Sequence, residues 1–373
     1  MNRNTCDELV MSANERMILD IIRRYSGIPR SGIAPHTNLT QQAVHRIIDT
    51  LISKDFVQLG GSLVSGRGKP SPSLTLNPTA FFSIGISLNT DDILVNLINF
   101  SGQIVDEKYA PFNPTERSKT LVWIKEVIDE WQVNQPDISR KIVGVGFAMS
   151  GYFIKKTGVI CPPKPLKDWS EINLLNQLET VLQRKIWFVN NATTGAIGEA
   201  LYGAGLKHNI FGYLSFNFGF GAGVVIEGKP LFGAFGNAGE IGRIYRPEEV
   251  SDRPALGELL KVLHSNGIDI SSVSELRKSF DPDWPGVKDW VVRVTPHLVR
   301  AVNGLRAVID PSAIVLGGEI PKALGLLLIQ SLENFYAEVK YDISPHPEII
   351  LSVIDYDPAA FGAALLPLRD TFF

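Results

Sequence analysis

Apolar residues recur at helical spacing near the front of the chain and at strand-like spacing beyond about Ala80. Ser12-x-x-Glu15 reads as a capping box, and Met17, Ile18, Ile21, Ile22 and Tyr25 follow it at helical intervals. A short second helix is predicted over residues 30–36, kept short or irregular by Pro35. Residues 37–39 then turn the chain, with Asn38 able to take the left-handed conformation that such turns often require. Thr40 is the expected N-cap of a third helix that buries Val44, Ile47, Ile48, Leu51 and Ile52. That burial leaves Gln41, Gln42, His45 and Arg46 near the exposed N-terminal end. Phe56-Val-Gln-Leu, Gly60-Gly61 and Ser-Leu-Val read as a hairpin behind it, which makes residues 1–64 a winged helix-turn-helix.

A linker over residues 65–79 separates this head from the body. Phe82-Ser-Ile-Gly-Ile-Ser-Leu and Ile93-Leu-Val-Asn-Leu-Ile-Asn-Phe are predicted strands, with Ser101-Gly102 as a turn and Gln103-Ile-Val-Asp as a third strand. Helices are expected over residues 176–182 and 290–309, the second with Pro296 as a candidate interruption. A strand near residues 349–353 and a helix near 361–366 close the chain, which has no internal repeat or low-complexity segment.

Charge separates the two parts. Residues 1–76 carry nine Lys/Arg against six Asp/Glu, a net +3, and the remainder carries −6. A mildly basic head suits a DNA phosphate backbone and the acidic body does not, although +3 is common in ordinary domains. With 373 residues, 45% hydrophobic and 20% charged, the chain is ordinary globular material for two or three domains. No window reaches the run of about 18 apolar residues that a spanning helix needs. The start lacks the apolar run of a secretory signal, so a cytoplasmic protein with no membrane partner is expected. Cys6 and Cys161 lie far apart without Cys-x-x-Cys neighbours and support neither a disulfide framework nor a thiolate zinc site.

The third helix has chemistry suited to a major groove. Gln can bond adenine bidentately and Arg can bond guanine, so Thr40, Gln41, Gln42, His45 and Arg46 are candidate DNA contacts; the alternative is a solvated helix face. Ser65-Gly-Arg-Gly-Lys-Pro-Ser-Pro offers Arg67 and Lys69 to a minor groove, or is a plain interdomain linker.

The winged helix, the Gly66-Arg-Gly-Lys-Pro segment and Gly236-Asn-Ala-Gly-Glu-Ile-Gly together resemble the ROK family of repressors, sugar kinases and open reading frames. The likeness is to its NagC/XylR/Mlc-like repressor branch and runs from about Asn14 to Leu366. It implies an α/β fold in which the winged head precedes a two-lobe actin-like ATPase (ribonuclease H-like) sugar-kinase body. The first lobe would span 80–190, with 356–373 returning to it, and the second 191–355.

Measured against that resemblance, the catalytic parts are damaged. Where kinases of the family carry Asp-x-Gly-Gly-Thr, this chain has Ser87-Leu-Asn-Thr-Asp91, which removes both glycines and sets Asp91 and Asp92 where a triphosphate would be expected. Asn217-Phe-Gly-Phe-Gly-Ala-Gly223 replaces the second loop's Thr with Phe218; its glycines serve either a hairpin or a remnant phosphate loop. Asp310-Pro-Ser-Ala-Ile-Val-Leu-Gly-Gly318 resembles the turn near the adenosine site. Asn191 stands where the kinases hold their general-base Asp, and an amide cannot accept that proton. No catalytic residue, no kinase activity and no cofactor are expected.

Binding groups remain. The resemblance places Asn190, Asn191 and Glu240 around a sugar, with Ser150 and Gly151 of Gly146-Phe-Ala-Met-Ser-Gly151 as a further wall or a tight strand-ending turn. Arg243 replaces the family's His; it binds an anionic effector or pairs with Glu240. Residues 246–260 hold neither Cys nor His, so the family's zinc cluster and any metal are expected to be absent. The implied partners are a double-stranded DNA operator and a sugar or sugar-derivative effector, with a homodimer or homotetramer presenting paired heads. Two alternatives stay open: a catalytically weak sugar kinase, and a repressor controlled by a phosphotransferase-system protein.

Overall fold

A computed structural model of the chain describes residues 10–63, 71–154, 159–171, 173–338 and 345–373. Helix α1 (Ala13–Arg24) starts from the reciprocal capping box, in which Glu15 N–H donates to Ser12 Oγ at 3.2 Å and Ser12 N–H to Glu15 Oε2 at 2.9 Å. After β1 (Ile28–Pro29), α2 (Arg30–Ile33) tightens into a 3-10 turn over Ala34–His36. The next turn is closed by the Thr37 hydroxyl, which donates to Ala34 O and accepts from Leu39 N–H at 3.1 Å each, and Asn38 is not left-handed. Helix α3 (Gln41–Ser53) begins at Thr40, whose Oγ1 accepts from Ala43 N–H at 3.3 Å. Val44, Ile48 and Leu51 point into a core shared with Ile18, Ile22 and Ile33.

The wing differs from its expected form. Strand β2 (Val57–Leu63) runs through Gly60-Gly61 without turning, with a register irregularity between Leu59 and Ser62. Its antiparallel partner is β3 (Ser71–Leu76), inside the expected linker 65–79, and the sheet order is β1-β3-β2. Leu74 and Leu76 are buried while the intervening Thr75 faces away from that core, an alternation that the Ser/Pro composition around it conceals. Arg67 and Lys69 lie outside the described residues.

The first body sheet contains β4 (Phe82–Leu88), β5 (Ile93–Asn99), β6 (Ile104–Tyr109), β7 (Ile142–Met149) and, beyond the small β8 (Tyr152–Phe153)/β9 (Ile160–Cys161) pair, β10 (Ile186–Asn190). Its order is β10-β7-β4-β5-β6. Helices α4 (Arg117–Asn134), α5 (Pro136–Ser139) and α6 (Leu174–Leu182) connect these strands. Helix α7 (Asn191–Tyr202) leads to the second sheet, ordered β13-β12-β11-β14-β15, from β11 (Phe211–Phe216), β12 (Phe220–Ile226), β13 (Lys229–Pro230), β14 (Ala313–Gly318) and β15 (Glu348–Leu351). Helices α8 (Leu256–Ser265), α9 (Val273–Ser279), α10 (Val287–Ile309) and α11 (Lys322–Glu338) complete that part. Helix α10 continues across Pro296, which lies on its exposed face with Val292, so the carbonyl deprived of its N–H partner is open to water.

The last helix, α12 (Pro358–Phe372), returns to the first sheet and lies over β4 and β7. Its backbone approaches so closely that a Cβ on Gly146 would stand 1.8 Å from Ala363 O. The head is anchored to this helix: Phe56 of the head, Phe81, Phe100 and Phe372 form an edge-packed cluster, and Arg16 Nη1 donates to Asp370 O at 2.8 Å. Among the described residues no helix is long and apolar enough to cross a membrane.

Candidate functional site

A cavity of about 380 Å³ opens between the two sheets. Ser150 and Gly151 reach it from the end of β7, Asn190 and Asn191 from the junction of β10 and α7, and Glu240 from the second sheet's side. These are five of the six side chains expected there. Asn89, which the sequence showed only as a lost glycine, also lines it, as do Arg253 and Glu258, which no motif marks.

The two junction asparagines have different tasks. Asn190 is the N-cap of α7: its Oδ1 accepts from Ala192 N–H at 2.8 Å and its Nδ2 donates to Gly151 O, so both ends of the amide are engaged. Asn191 is buried, and its Nδ2 donates to Asn89 Oδ1 at 2.8 Å and to Ser150 Oγ at 3.3 Å. Its Oδ1 is buried and has no partner among the described residues.

At the end of the cleft that the family resemblance assigns to phosphates, several backbone groups are bonded within the protein. Asp91 Oδ2 accepts from Val273 N–H at 2.7 Å, a bond between the first sheet's loop and the start of α9. Gly318 N–H donates to Tyr213 Oη at 2.6 Å and Glu319 N–H to Asn217 Oδ1 at 3.0 Å, so these amides are not free for a nucleotide. The carbonyls of Asn217 and Phe218 accept from Leu256 and Gly257 N–H, which satisfies the first turn of α8 from within.

Deeper, Asn89 Nδ2 donates to Asp92 Oδ1 and Glu319 Oε1 at 2.8 Å each and to Asp357 Oδ2 at 3.3 Å. An amide nitrogen has two hydrogens for these three acceptors, and the carboxylates repel one another in a nearly dry space. Burial, then Asp357, pushes Asp92 up to about 7. Burial and the neighbouring Asp92 and Asp357 push Glu319 well above the usual carboxylate range, and burial raises Asp357. This is the one group of metal-binding type among the described residues, and it lies far in sequence from residues 246–260. The Asn89 nitrogen donates to oxygens of this group, which ties the three carboxylates together through one amide.

Glu240 makes no side-chain hydrogen bond among the described residues; burial raises it and Arg243 opposes the rise. Arg243 itself does not line the cavity. It sits in the exposed 3-10 turn over Ile241–Ile244 with its guanidinium above the Tyr152 ring, 5.1 Å from the centroid, and forms no ion pair with Glu240 among the described residues. The arginine that does line the cavity is Arg253, whose Nε donates to Val250 O at 3.3 Å. Glu258 faces the same wall and pairs with Lys261 at 2.8 Å. Asn237 accepts from Phe153 N–H and donates to Phe153 O at 2.7 Å each, next to the cavity-lining Tyr152.

On the head, Gln41, Gln42, His45 and Arg46 are exposed side by side on the first two turns of α3, and none of their side chains has an internal hydrogen bond or ion pair among the described residues. Arg30, by contrast, is held by Asp49 at 2.6 Å.

The profile of the ROK family matches residues 83–370. The chain is 30% identical over 235 residues to a protein called the xylose repressor of Caldicellulosiruptor bescii, covering 63% of this chain and 59% of that protein. It is 23% identical over 360 residues to the DNA-binding transcriptional dual regulator NagC of Escherichia coli, covering 88% of this chain and 86% of NagC. The crystal structure of a ROK family transcriptional regulator described as a homologue of the Escherichia coli MLC protein superposes with a TM-score of 0.73 at 16% identity, covering 96% of each chain.

Proposed function

The chain belongs to the ROK family, and from its head and cleft we propose that it is a sequence-specific DNA-binding transcriptional regulator. It represses sugar uptake or catabolism genes in the cytoplasm, and its cleft binds a sugar or sugar-derivative effector without phosphorylating it. The observation that carries this reading is the unspent row of Gln41, Gln42, His45 and Arg46 at the exposed start of α3. Donor-rich side chains at the N-terminal end of a helix-turn-helix second helix are the groups that read base edges. The names of the xylose repressor and NagC support the same assignment.

The cleft supports binding without turnover. Glu240 and Glu258 offer acceptors to hydroxyl donors, while Asn191 cannot take a proton and the amides of Gly318 and Glu319 are engaged within the protein. Two copies would place two heads on operator half-sites about one DNA turn apart.

The test is selection of duplexes from a random library by the full-length chain, followed by binding assays at fixed salt and a thermal-shift screen of monosaccharides that includes D-xylose and N-acetylglucosamine. A preferred duplex at least about a thousandfold tighter than random DNA, and a sugar that raises Tm and weakens that complex, are expected. Equal affinity for all duplexes, together with ADP formation from ATP and a sugar, would overturn the assignment.

A further inference from the structure

Two helices begin at the cleft and end at the DNA-binding head. Helix α7 starts with Asn191 at the cavity wall and ends with Leu201 and Tyr202, about 18 Å away at 1.5 Å per residue. Helix α12 starts at Asp357, which shares the Asn89 amide with Asp92 and Glu319, and ends with Asp370 and Phe372 against the head. Asn89 touches both origins, because its Oδ1 accepts from Asn191 and its Nδ2 donates to Asp357. The helices are in backbone contact near their starts: a Cβ on Gly362 would stand 1.8 Å from Thr194 O. So close an approach leaves little room for the two helices to slide past one another.

At the far end Arg23 of the head engages α7. Arg23 of α1 has a buried side chain whose Nη1 donates to the Leu201 carbonyl at the C-terminal end of α7. Its guanidinium lies 5.3 Å from the Tyr202 ring centroid and 5.5 Å from that of Phe373, and Asp20 holds its other edge. A planar cation held by a helix-end carbonyl, two rings and a carboxylate ties α7 to α1, and a rotamer change of Arg23 would break those contacts. Its neighbour Arg24 approaches Gly228, in the turn between β12 and β13 of the second sheet, so movement between the sheets also reaches α1.

We propose that α7 and α12, joined at Gly362, form the strut by which the state of the cleft reaches the DNA-binding head, with Arg23 as the positioning residue at its joint. This rests on the regulator reading and names the path of its control. Contact alone does not establish coupling, so the decisive quantity is the change that one site makes in the other.

Cys161 lines the cavity and reports on it without any sugar. In the full-length chain with Cys6→Ser, the rate of Cys161 alkylation by N-ethylmaleimide is measured with no DNA, with the duplex selected by the chain, and with a scrambled duplex. The selected duplex is expected to change the rate by about fivefold or more, and the scrambled one to leave it unchanged. Arg23→Met keeps the apolar stem and removes the charge; it is expected to cut that response below about twofold while duplex affinity stays within about threefold of the parent. Tyr202→Leu, which alters the joint from the α7 side, should do the same if Arg23→Met does not fold. A parent whose Cys161 ignores the selected duplex, or a variant that binds it normally and keeps the full response, overturns the strut while leaving the regulator reading in place. A chain that selects no duplex overturns both.

Discussion

Asn191 Nδ2 donates to Asn89 Oδ1 at 2.8 Å, and that bond fixes the orientation of both amides. Asn89 cannot turn over to suit another partner, because its nitrogen is held by Asp92 and Glu319 at 2.8 Å each. Restoring a carboxylate with Asn191→Asp therefore sets two acceptors against each other in a buried place. A cost of about 1–3 kcal/mol is expected, seen as a lower Tm, and no kinase activity is gained because Asn89, Thr90 and Phe218 still replace the phosphate-loop residues. A coupled ADP assay with ATP and a sugar panel checks this; turnover above about 1 per second would sink it.

The carboxyl cluster makes stability depend on pH in a stated direction. Asp92 lies at about 7 in the folded chain, above its ordinary 3.8, so the folded state keeps a proton that the unfolded chain releases. The stability this provides is fully present below about pH 4 and is lost as pH rises through 7. Asp92→Asn keeps an oxygen to accept from Asn89 and removes the titration. The variant should be more stable than the parent by about 1–2 kcal/mol at pH 8 and no more stable at pH 4. Thermal unfolding across that range decides the matter, and parallel curves for the two proteins would refute the assignment of the proton to this cluster.

How much of this was legible along the chain depended on how local the determinant is. The capping box at Ser12 and Glu15, the Thr40 cap and the spacing of Val44, Ile48 and Leu51 are contained within single turns, and the helices follow them. The wing was misread because Gly60-Gly61 has the composition of a tight turn, while the true partner, Ser71–Leu76, is flanked by Ser and Pro. Asn190, Asn191 and Glu240 were found because each lies in a short motif. Asn89 was visible only as a lost glycine: its partners Glu319 and Asp357 are 230 and 268 residues away, and nothing local announces them. Arg243 was expected in the cleft because it stands at the family's His position, but its guanidinium lies over the Tyr152 ring and it does not line the cavity.

Glycine content alone would not reveal where two backbones meet. Gly362→Ala places a methyl group 1.8 Å from Thr194 O, on carbonyl that belongs to a packed helix, so α7 and α12 must separate. A loss of about 1–3 kcal/mol or more is expected, read as a lower urea midpoint. Gly304→Ala in α10, where nothing lies within 4 Å of the new Cβ, should instead stabilise by about 0.5–1 kcal/mol. Equal effects from both substitutions would show that the helix crossing is looser than described.

Arg46 separates base reading from a solvated helix face. Its guanidinium is exposed and unpaired among the described residues, unlike Arg30, which Asp49 holds at 2.6 Å, so removing it leaves no orphaned partner in the fold. Arg46→Ala should leave Tm unchanged. If the side chain bonds a guanine in the major groove, affinity for the selected duplex falls by about 1–3 kcal/mol and preference is relaxed at that base pair alone. If it only meets phosphate, binding weakens for every duplex alike and the salt dependence becomes shallower by about one counterion. Parallel titrations of selected and random duplexes at two salt concentrations distinguish the two, and a variant with parental affinity and specificity would return Arg46 to the solvated surface.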